Sequence, residues 1–376
     1  MCSSNRKIRV LETIRQGKIG GGESHVLDLV ATLDKQVFEP VVLSFTDGPM
    51  MEALQRMQVP AFVISSEKAF DLGVWRKVKH FIREQKIDVV HVHGTRANTN
   101  VLWAARSLGL PVVYTIHGWS FHEGLNPLAK RLRIAAEQFI TRKTQMNICV
   151  SESNRQTGLQ SFSTFNSIVI RNGINLNRFN PDAACPDIKT ALGIPAGRTV
   201  VGYIARMTLQ KDPVTMVKAF AAALKREPSL YLLMVGDGEL KQAAMDMAAS
   251  LGITADVRFE GFRQDVPAVL QAMDIYCLPS LWEGFPIGVL EAMAMRKAVI
   301  ATDVDGTKEA VTHGVDGWLV PAEDPERLTD AIVTLATDTQ LRSTLQHNAG
   351  KTINEKFNVA GMTAQIAAVY QQLYKA

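Results

Sequence analysis

Short apolar runs alternate with longer stretches of helical periodicity, and the alternation occurs twice along the chain. The first series of runs is IRVLETI (8–14), FEPVVLSF (38–45), AFVIS (61–65), DVVHVHG (88–94), PVVYTIHG (111–118), MNICVS (146–151) and SIVIRNG (167–173). Helical patterns lie between most of them, including 23–34, 71–86, 95–108 and 127–143. The second series is TVVGYIA (199–205), LYLLMVG (230–236), VRFEG (257–261), IYCLPS (275–280), AVIATD (298–303) and GWLVPA (317–322). Nearly continuous apolar strands joined by helical crossovers predict parallel sheets covered on both faces. Two such series predict an α/β protein of two doubly wound domains.

The boundary is expected in NLNRFNPDAACPDIKTALGIPAG (175–197), which is rich in Pro, Asn, Asp and Gly and carries no strand pattern. This assigns 1–180 to the first domain and 181–357 to the second. Residues Val359, Met362, Ile366, Val369, Tyr370 and Leu373 then repeat at helical spacing with no strand after them. A terminal helix over 358–376 is therefore expected to dock and complete the first domain. At 376 residues, two hydrophobic cores are the natural expectation.

Composition adds exclusions rather than a function. The chain is 47% hydrophobic and 21% charged, the balance of a globular protein. The four cysteines (Cys2, Cys149, Cys185, Cys277) form no C-x-x-C pair, and Cys149 and Cys277 read as small buried hydrophobes. The N-terminus lacks the apolar core of a signal peptide, and no run approaches the ~20 apolar residues that span a bilayer. A cytoplasmic location is the expectation. Residues 1–180 hold 23 Lys+Arg against 14 Asp+Glu, whereas residues 181–376 hold 18 against 23. A basic first half suits an anionic acceptor or a lipid headgroup surface, and equally a scattered solubilising charge.

Ligands of open α/β sheets bind beyond the carboxyl ends of the strands, and the unusual residues of this chain fall there. EGFPIGVLEAMA (283–294) follows the run IYCLPS. Pro286 suits a first helical turn, so Glu283 is expected on the loop, the amides of Gly284 and Phe285 near a helix N-terminus, and Glu291 on the helix. Helix N-termini attract anions, and carboxylates accept paired hydrogen bonds from sugar hydroxyls. GYIARMTLQKDP (202–213) places Arg206 at a strand end and Lys211 five residues on, before Asp212-Pro213 opens a helix. Two such cations can neutralise a diphosphate and the charge that develops as it departs.

KIGGGESH (18–25) follows the first strand, and its consecutive glycines Gly20, Gly21 and Gly22 permit close backbone approach. The spacing is not G-x-G-x-x-G, and no acidic residue closes the second strand, so a nicotinamide site is disfavoured. His117 ends the run PVVYTIHG. His91 and His93 alternate along VVHVHG, and either orientation, core or site, is open; a metal site built on them lacks evident partners in the sequence.

Over essentially its whole length the chain resembles the retaining GT-B glycosyltransferases of the "glycosyl transferases group 1" family. The resemblance is carried by GGGESH, the HVHG and TIHG strand ends, VSES, RNGINLNRF, GYIARMTLQKD, LLMVGDGEL, FEGF, LPSLWEGFPIGVLEAMA, and ATDVDGTKEAV with HGVDGWLV. The E-x7-E motif with its upstream R-x4-K is the specific part; the glycine loop alone is not. The resemblance implies two Rossmann-like domains facing across a cleft and transfer of a hexose or N-acetylhexosamine from a nucleotide-diphosphate sugar, UDP being the family's commonest carrier. It implies that Arg206 and Lys211 grip the diphosphate, with Gly21 and Gly22 facing it. Glu291 would bind the ribose, and Glu283 the donor sugar with the amides of Gly284 and Phe285. His117 would lie close to the reacting centre, Phe262 and Arg263 beside the nucleobase, and Asn172 and Ser151 in the cleft or near the hinge.

The implied acceptor is a glycan or a lipid-linked saccharide of cell-surface polysaccharide or glycolipid synthesis. No cofactor and no metal are expected, because Arg206 and Lys211 supply the charge a metal would supply. Asp303-Val304-Asp305 spells D-x-D, but it follows a strand of the second series and is not expected to hold a metal. Asn175, Asp212 and Asp305 depart from the family pattern, which more often has Asp, Gly and a Gly-Gly pair there. Segment 127–143 joins Lys130, Arg131, Arg133, Arg142 and Lys143 to an apolar face. It reads either as a core helix with a solvated basic side or as a contact with an anionic membrane. A nucleotide-sugar 2-epimerase and a non-catalytic sugar-nucleotide sensor are the rival functions. No nucleic-acid module accompanies the basic excess.

Overall fold

The computed structural model describes residues 6–17, 20–66, 68–121 and 124–375. It divides into two compact units, Met1–Gly173 with Val359–Ala376, and Ile174–Asn358. The division thus falls at 173/174, upstream of the expected 180/181. The reason is that 175–197 is not a bare linker. Phe179 and Ile188 are buried, and Ile188, on the short helix Ile188–Ala191, packs with Ala268 and Ala272 of the second unit.

The strands of the first unit are β1 (Ile8–Ile14), β2 (Phe38–Ser44), β3 (Ala61–Val63), β4 (Val89–His93), β5 (Val112–Ile116), β6 (Met146–Cys149) and β7 (Ser167–Val169). They form a parallel sheet in the order β3-β2-β1-β4-β5-β6-β7. Those of the second unit are β8 (Thr199–Ile204), β9 (Leu230–Val235), β10 (Val257–Glu260), β11 (Ile275–Leu278), β12 (Ala298–Thr302) and β13 (Trp318–Val320). Their order, β10-β9-β8-β11-β12-β13, repeats the doubly wound pattern. In each unit the winding reverses beside the first strand, between β1 and β4 and between β8 and β11. Such reversals leave a crevice at the strands' carboxyl ends.

Each apolar run of the sequence yields a strand, but most strands stop short of the run's end. Strand β5 ends at Ile116, so His117 lies beyond the ladder; β8 ends before Arg206, and β11 before Pro279. Local chemistry starts the intervening helices. Asp71 accepts from the N–H of Gly73 (3.1 Å), Asn126 from Ala129 (2.8 Å) and Ser151 from Asn154 (3.0 Å), each satisfying a free donor of a helical first turn. Ser151, expected in the cleft or near the hinge, is a buried helix cap.

The helix Val359–Lys375 docks on the first unit. Met362, Ile366, Val369 and Tyr370 join Ile8, Val10, Val89, Val113 and Ile148 in one apolar cluster. Side chains of a strand alternate between faces, so Glu12 shares this face with Ile8 and Val10. His91 and His93 likewise share it with Val89, and Thr115 with Val113. Glu12 pairs in register with His91, and His93 with Thr115. This face is therefore apolar at the amino ends of the strands and polar toward their carboxyl ends.

Candidate active site

In the second unit, the loop after β8 is held in place before any ligand arrives. The N–H of Ala205 donates to the Val235 carbonyl (3.2 Å), that of Met207 to Asp237 (3.0 Å), and that of Leu240 back to Met207 (2.9 Å). Gly236, at φ +140°, permits this approach: a Cβ there would stand 2.0 Å from the Ala205 oxygen. From beneath, the buried Tyr203 hydroxyl donates toward the carbonyls of Arg206 (3.4 Å) and Lys211 (3.3 Å). Arg206 itself is exposed, and its guanidinium has no ion pair among the described residues.

Asp212 takes φ +44° and accepts from the N–H of Thr215 (3.1 Å), capping the helix Pro213–Arg226. The family's frequent glycine at this position has a physical reason in that positive φ. Aspartate is among the few other residues that adopt it readily. Asp305 follows the same logic at φ +34°. Its carboxylate accepts from the N–H of Glu283 (3.3 Å), and burial raises its pKa. Asn175 accepts from the N–H of Asn177 (3.1 Å), a turn that an aspartate makes equally well. Asp303 and Asp305 gather no third His, Cys, Asp or Glu ligand among the described residues.

Two bonds join the loops after β8 and β11: Gln210 Nε2 to the Trp282 carbonyl, and the N–H of Leu281 to the Gln210 carbonyl, both 2.8 Å. They bring Lys211 to Glu283, and the ammonium and carboxylate form a salt bridge with side chains 18% and 6% exposed. Gly284 packs under Gly306, where any Cβ would strike the Gly284 carbonyl. Phe285 is buried with its ring 5.4 Å from that of Phe357, so its side chain anchors the loop.

Pro286 stands at the cap of the helix Ile287–Ala294, one position before the first turn where the sequence placed it. Glu291 is half-buried on that helix. Burial, followed by the charges of Glu291 and Glu283, raises the pKa of Tyr276, whose hydroxyl donates to the Ile204 carbonyl (3.1 Å). Arg206, Lys211, Glu283, Gly284 and Phe285 thus cluster about the β8–β11 crevice. Phe262 and Arg263 lie apart, beyond the edge strand β10. Phe262 is 45% exposed. Arg263 is engaged by Asp265 (2.9 and 2.5 Å), which raises its pKa.

In the first unit, Lys18 and Ile19 of the KIGGGESH segment lie outside the described residues. Gly21 and Gly22 are the first turn of the helix Gly21–Thr32 rather than a free loop. A Cβ on Gly22 would stand 3.6 Å from Cδ2 and 3.8 Å from Nε2 of His117, so Gly22 abuts that imidazole. His117 in turn leads into a buried polar network that the sequence only half disclosed.

His117 Nε2 lies 3.1 Å from His93 Nδ1, and His93 Nε2 lies 2.9 Å from Glu12 Oε2. Glu12 also accepts from the Tyr370 hydroxyl (2.7 Å) and lies 3.1 Å from His91 Nδ1. His91 Nε2 meets the hydroxyl of Thr115 at 2.7 Å. His25 Nδ1 meets Asn172 Oδ1 at 3.0 Å. Burial opposes ionisation of Glu12, but the charge and hydrogen bonds of His91 and His93 prevail and lower its pKa. Burial first, then neighbouring imidazoles, lowers His25 to about 3, His93 to about 4, and His117 well below its ordinary value. The alternation of His91 and His93 therefore serves a network rather than an apolar core. Glu12 was missed; the signal was a carboxylate inside the otherwise apolar run IRVLETI.

Two family models cover the units in turn. "Glycosyltransferase Family 4" matches residues 19–178, and "Glycosyl transferases group 1" matches residues 186–352. The UDP-Gal:alpha-D-GlcNAc-diphosphoundecaprenol alpha-1,3-galactosyltransferase of Escherichia coli is 25% identical, covering 98% of each chain. The phosphatidyl-myo-inositol mannosyltransferase of Mycolicibacterium smegmatis is 29% identical over 94% of this chain and 90% of that enzyme. The crystal structure of Anabaena HepE in complex with UDP-glucose superposes with a TM-score of 0.86 at 25% identity, covering 97% of this chain and all of that one. Two doubly wound units, each matched by a glycosyltransferase model, are the GT-B architecture, and the chain is a glycosyltransferase whose second unit matches the group 1 model.

Proposed function

We propose that the chain transfers a hexose or N-acetylhexosamine from a UDP-sugar to a glycan or lipid-linked acceptor, with retention at the anomeric carbon and without a metal. The observation that carries this reading is the pairing of Glu283 with Lys211 on the loop that also carries Arg206, a cation with no ion pair among the described residues. Lys211 and Arg206 neutralise the diphosphate. Glu283, released from Lys211 as phosphate oxygens take its place, accepts hydrogen bonds from the sugar. Glu291 takes the ribose hydroxyls, and Phe262 offers its exposed ring to the base with Arg263 alongside. Two fixed cations supply at the leaving group what a divalent ion would otherwise supply.

The choice of UDP rests on the donors named for the Escherichia coli galactosyltransferase and the Anabaena structure. The lipid-linked acceptor rests on the diphosphoundecaprenol and phosphatidylinositol substrates named for two relatives. The helix Pro127–Thr141 supports a membrane partner at the cytoplasmic face. Of its residues only Glu137, Ile140 and Thr141 are buried, whereas Leu128, Leu132 and Phe139 are 68, 64 and 44% exposed beside Arg131 and Arg133. An inward-packing apolar face would have covered Leu128 and Leu132. No helix among the described residues is long and apolar enough to cross a membrane, so the contact proposed is superficial.

Incubation with UDP-glucose, UDP-galactose or UDP-N-acetylglucosamine, a polyprenyl-diphosphate saccharide and excess EDTA tests the proposal. It requires an α-linked product by NMR from an α-linked donor. An inverted product, or no turnover until Mg2+ is restored, contradicts it. Donor conversion without any acceptor would indicate the epimerase instead.

A further inference from the structure

We propose that His25, His93 and His117 form a three-imidazole site for a divalent transition-metal ion, with Zn2+ the best match. The site is built wholly from first-unit residues, and the proposed transfer draws no charge from it. One nitrogen from each ring lies within 4.8 Å of the other two. The His93 Nδ1 to His117 Nε2 distance is 3.1 Å. Tetrahedral zinc with Zn–N bonds of about 2.0–2.1 Å sets its ligand nitrogens roughly 3.3–3.4 Å apart. Small movements of the rings therefore suffice.

A second, separate observation points into the same space. His25 is 3% exposed, and its Nε2 is a buried nitrogen with no hydrogen-bond partner among the described residues. Its Nδ1 faces the Asn172 carbonyl oxygen, which places the proton on Nδ1 and leaves the Nε2 lone pair unused. A buried polar atom without a partner is costly, and coordination would satisfy it.

The outer partners are those that metal-ligating histidines normally have. His93 donates its Nε2–H to the Glu12 carboxylate (2.9 Å), which frees Nδ1 as a ligand; His25 donates to Asn172. His117 completes the set by moving its proton from Nε2 to Nδ1, which releases the contact with His93. Metal ions bind a ring nitrogen that carries no proton, and each of the three rings offers one once its other nitrogen holds the hydrogen. His117 is the half-buried member and provides the side of entry, leaving a fourth coordination position for water.

The neighbouring group of Glu12, His91 and His93 does not compete. His91 spends both ring nitrogens on Tyr370 and Thr115, and all three residues are fully or almost fully buried. That group is the outer support, not a second site.

The test is titration of the metal-stripped full chain with Co2+, followed by its visible d–d bands, and with Zn2+ by calorimetry. One equivalent of each is expected, with a tetrahedral Co2+ spectrum. His25→Ala should weaken binding at least ~100-fold, and Asn172→Ala, a milder change, about tenfold. The double variant His80→Ala/His347→Ala, which removes exposed imidazoles elsewhere, should bind as the parent does. Absence of a stoichiometric Co2+ spectrum overturns the site. So does binding that survives both His25→Ala and Asn172→Ala.

Discussion

The ammonium of Lys211 is paired with the carboxylate of Glu283, two residues 72 positions apart that the crossover of β8 beside β11 brings together. In the proposed reaction the pair is a resting arrangement, each partner keeping the other satisfied until a diphosphate and a sugar hydroxyl replace both. Lys211→Ala should therefore lower turnover by a factor on the order of 100 or more. It should also cost on the order of 3 kcal/mol of stability in the second unit, because Glu283 is left buried and unpaired. Steady-state kinetics with thermal melts check both. Normal turnover with a lowered melting temperature would assign the pair a structural role alone.

Tyr203 supports the loop that carries both cations. Tyr203→Phe removes the hydroxyl that bridges the Arg206 and Lys211 carbonyls. The expected cost is about 1 kcal/mol in stability, with a several-fold rise in donor KM and little change in the fold. A donor titration that leaves KM unchanged would show that the loop's other bonds suffice.

Beyond their apolar contacts, the sheet of the first unit and its terminal helix share one buried carboxylate. Glu12 lies within hydrogen-bonding reach of Tyr370, His91 and His93. Tyr370→Phe should cost roughly 1–3 kcal/mol, the range for a buried partner lost from a charged group. Hydrogen exchange should show faster opening of Val359–Lys375 than of the sheet. Uniform acceleration across the unit would argue that the helix is held by its apolar contacts alone.

Acid should destabilise the same unit in two stages. His25 and His93 stay neutral in the folded chain, at about 3 and about 4, against 6.5 ordinarily. Their stability contribution is complete above pH 6.5. It falls as the pH drops below that, because the unfolded chain binds protons that the folded chain refuses. The slope is about 1.4 kcal/mol per pH unit for each such proton. Glu12, whose pKa is lowered, adds a further loss below 4.5. Melting temperatures between pH 7 and 5 should fall less steeply in His93→Gln than in the parent; equal slopes would contradict this origin.

The strands and their doubly wound order were readable because fully buried parallel strands must be apolar along their whole length. The candidate site motifs stood out in the sequence because Arg206, Lys211 and Glu283 interrupt that pattern beyond the carboxyl ends of the strands. What escaped was set by three-dimensional pairing. Glu12 occupies one position of an apolar strand, and only register beside His91 and His93, with Tyr370 from the far end of the chain, explains its tolerance there. The glycines at 20–22 read as a loop because glycine is a poor helix former, yet tertiary contact begins the helix at Gly21. Segment 175–197 read as a linker from its Pro and Asp content, although Phe179 and Ile188 bury it in the second unit.

Calorimetric titration of UDP into the parent chain and into Arg206→Ala and Lys211→Ala is the most direct test of the proposed donor site. The expected result is one binding site in the parent that weakens at least tenfold in each variant, with melting curves that remain cooperative. Unchanged UDP affinity in both variants would contradict the assignment of these cations to the diphosphate.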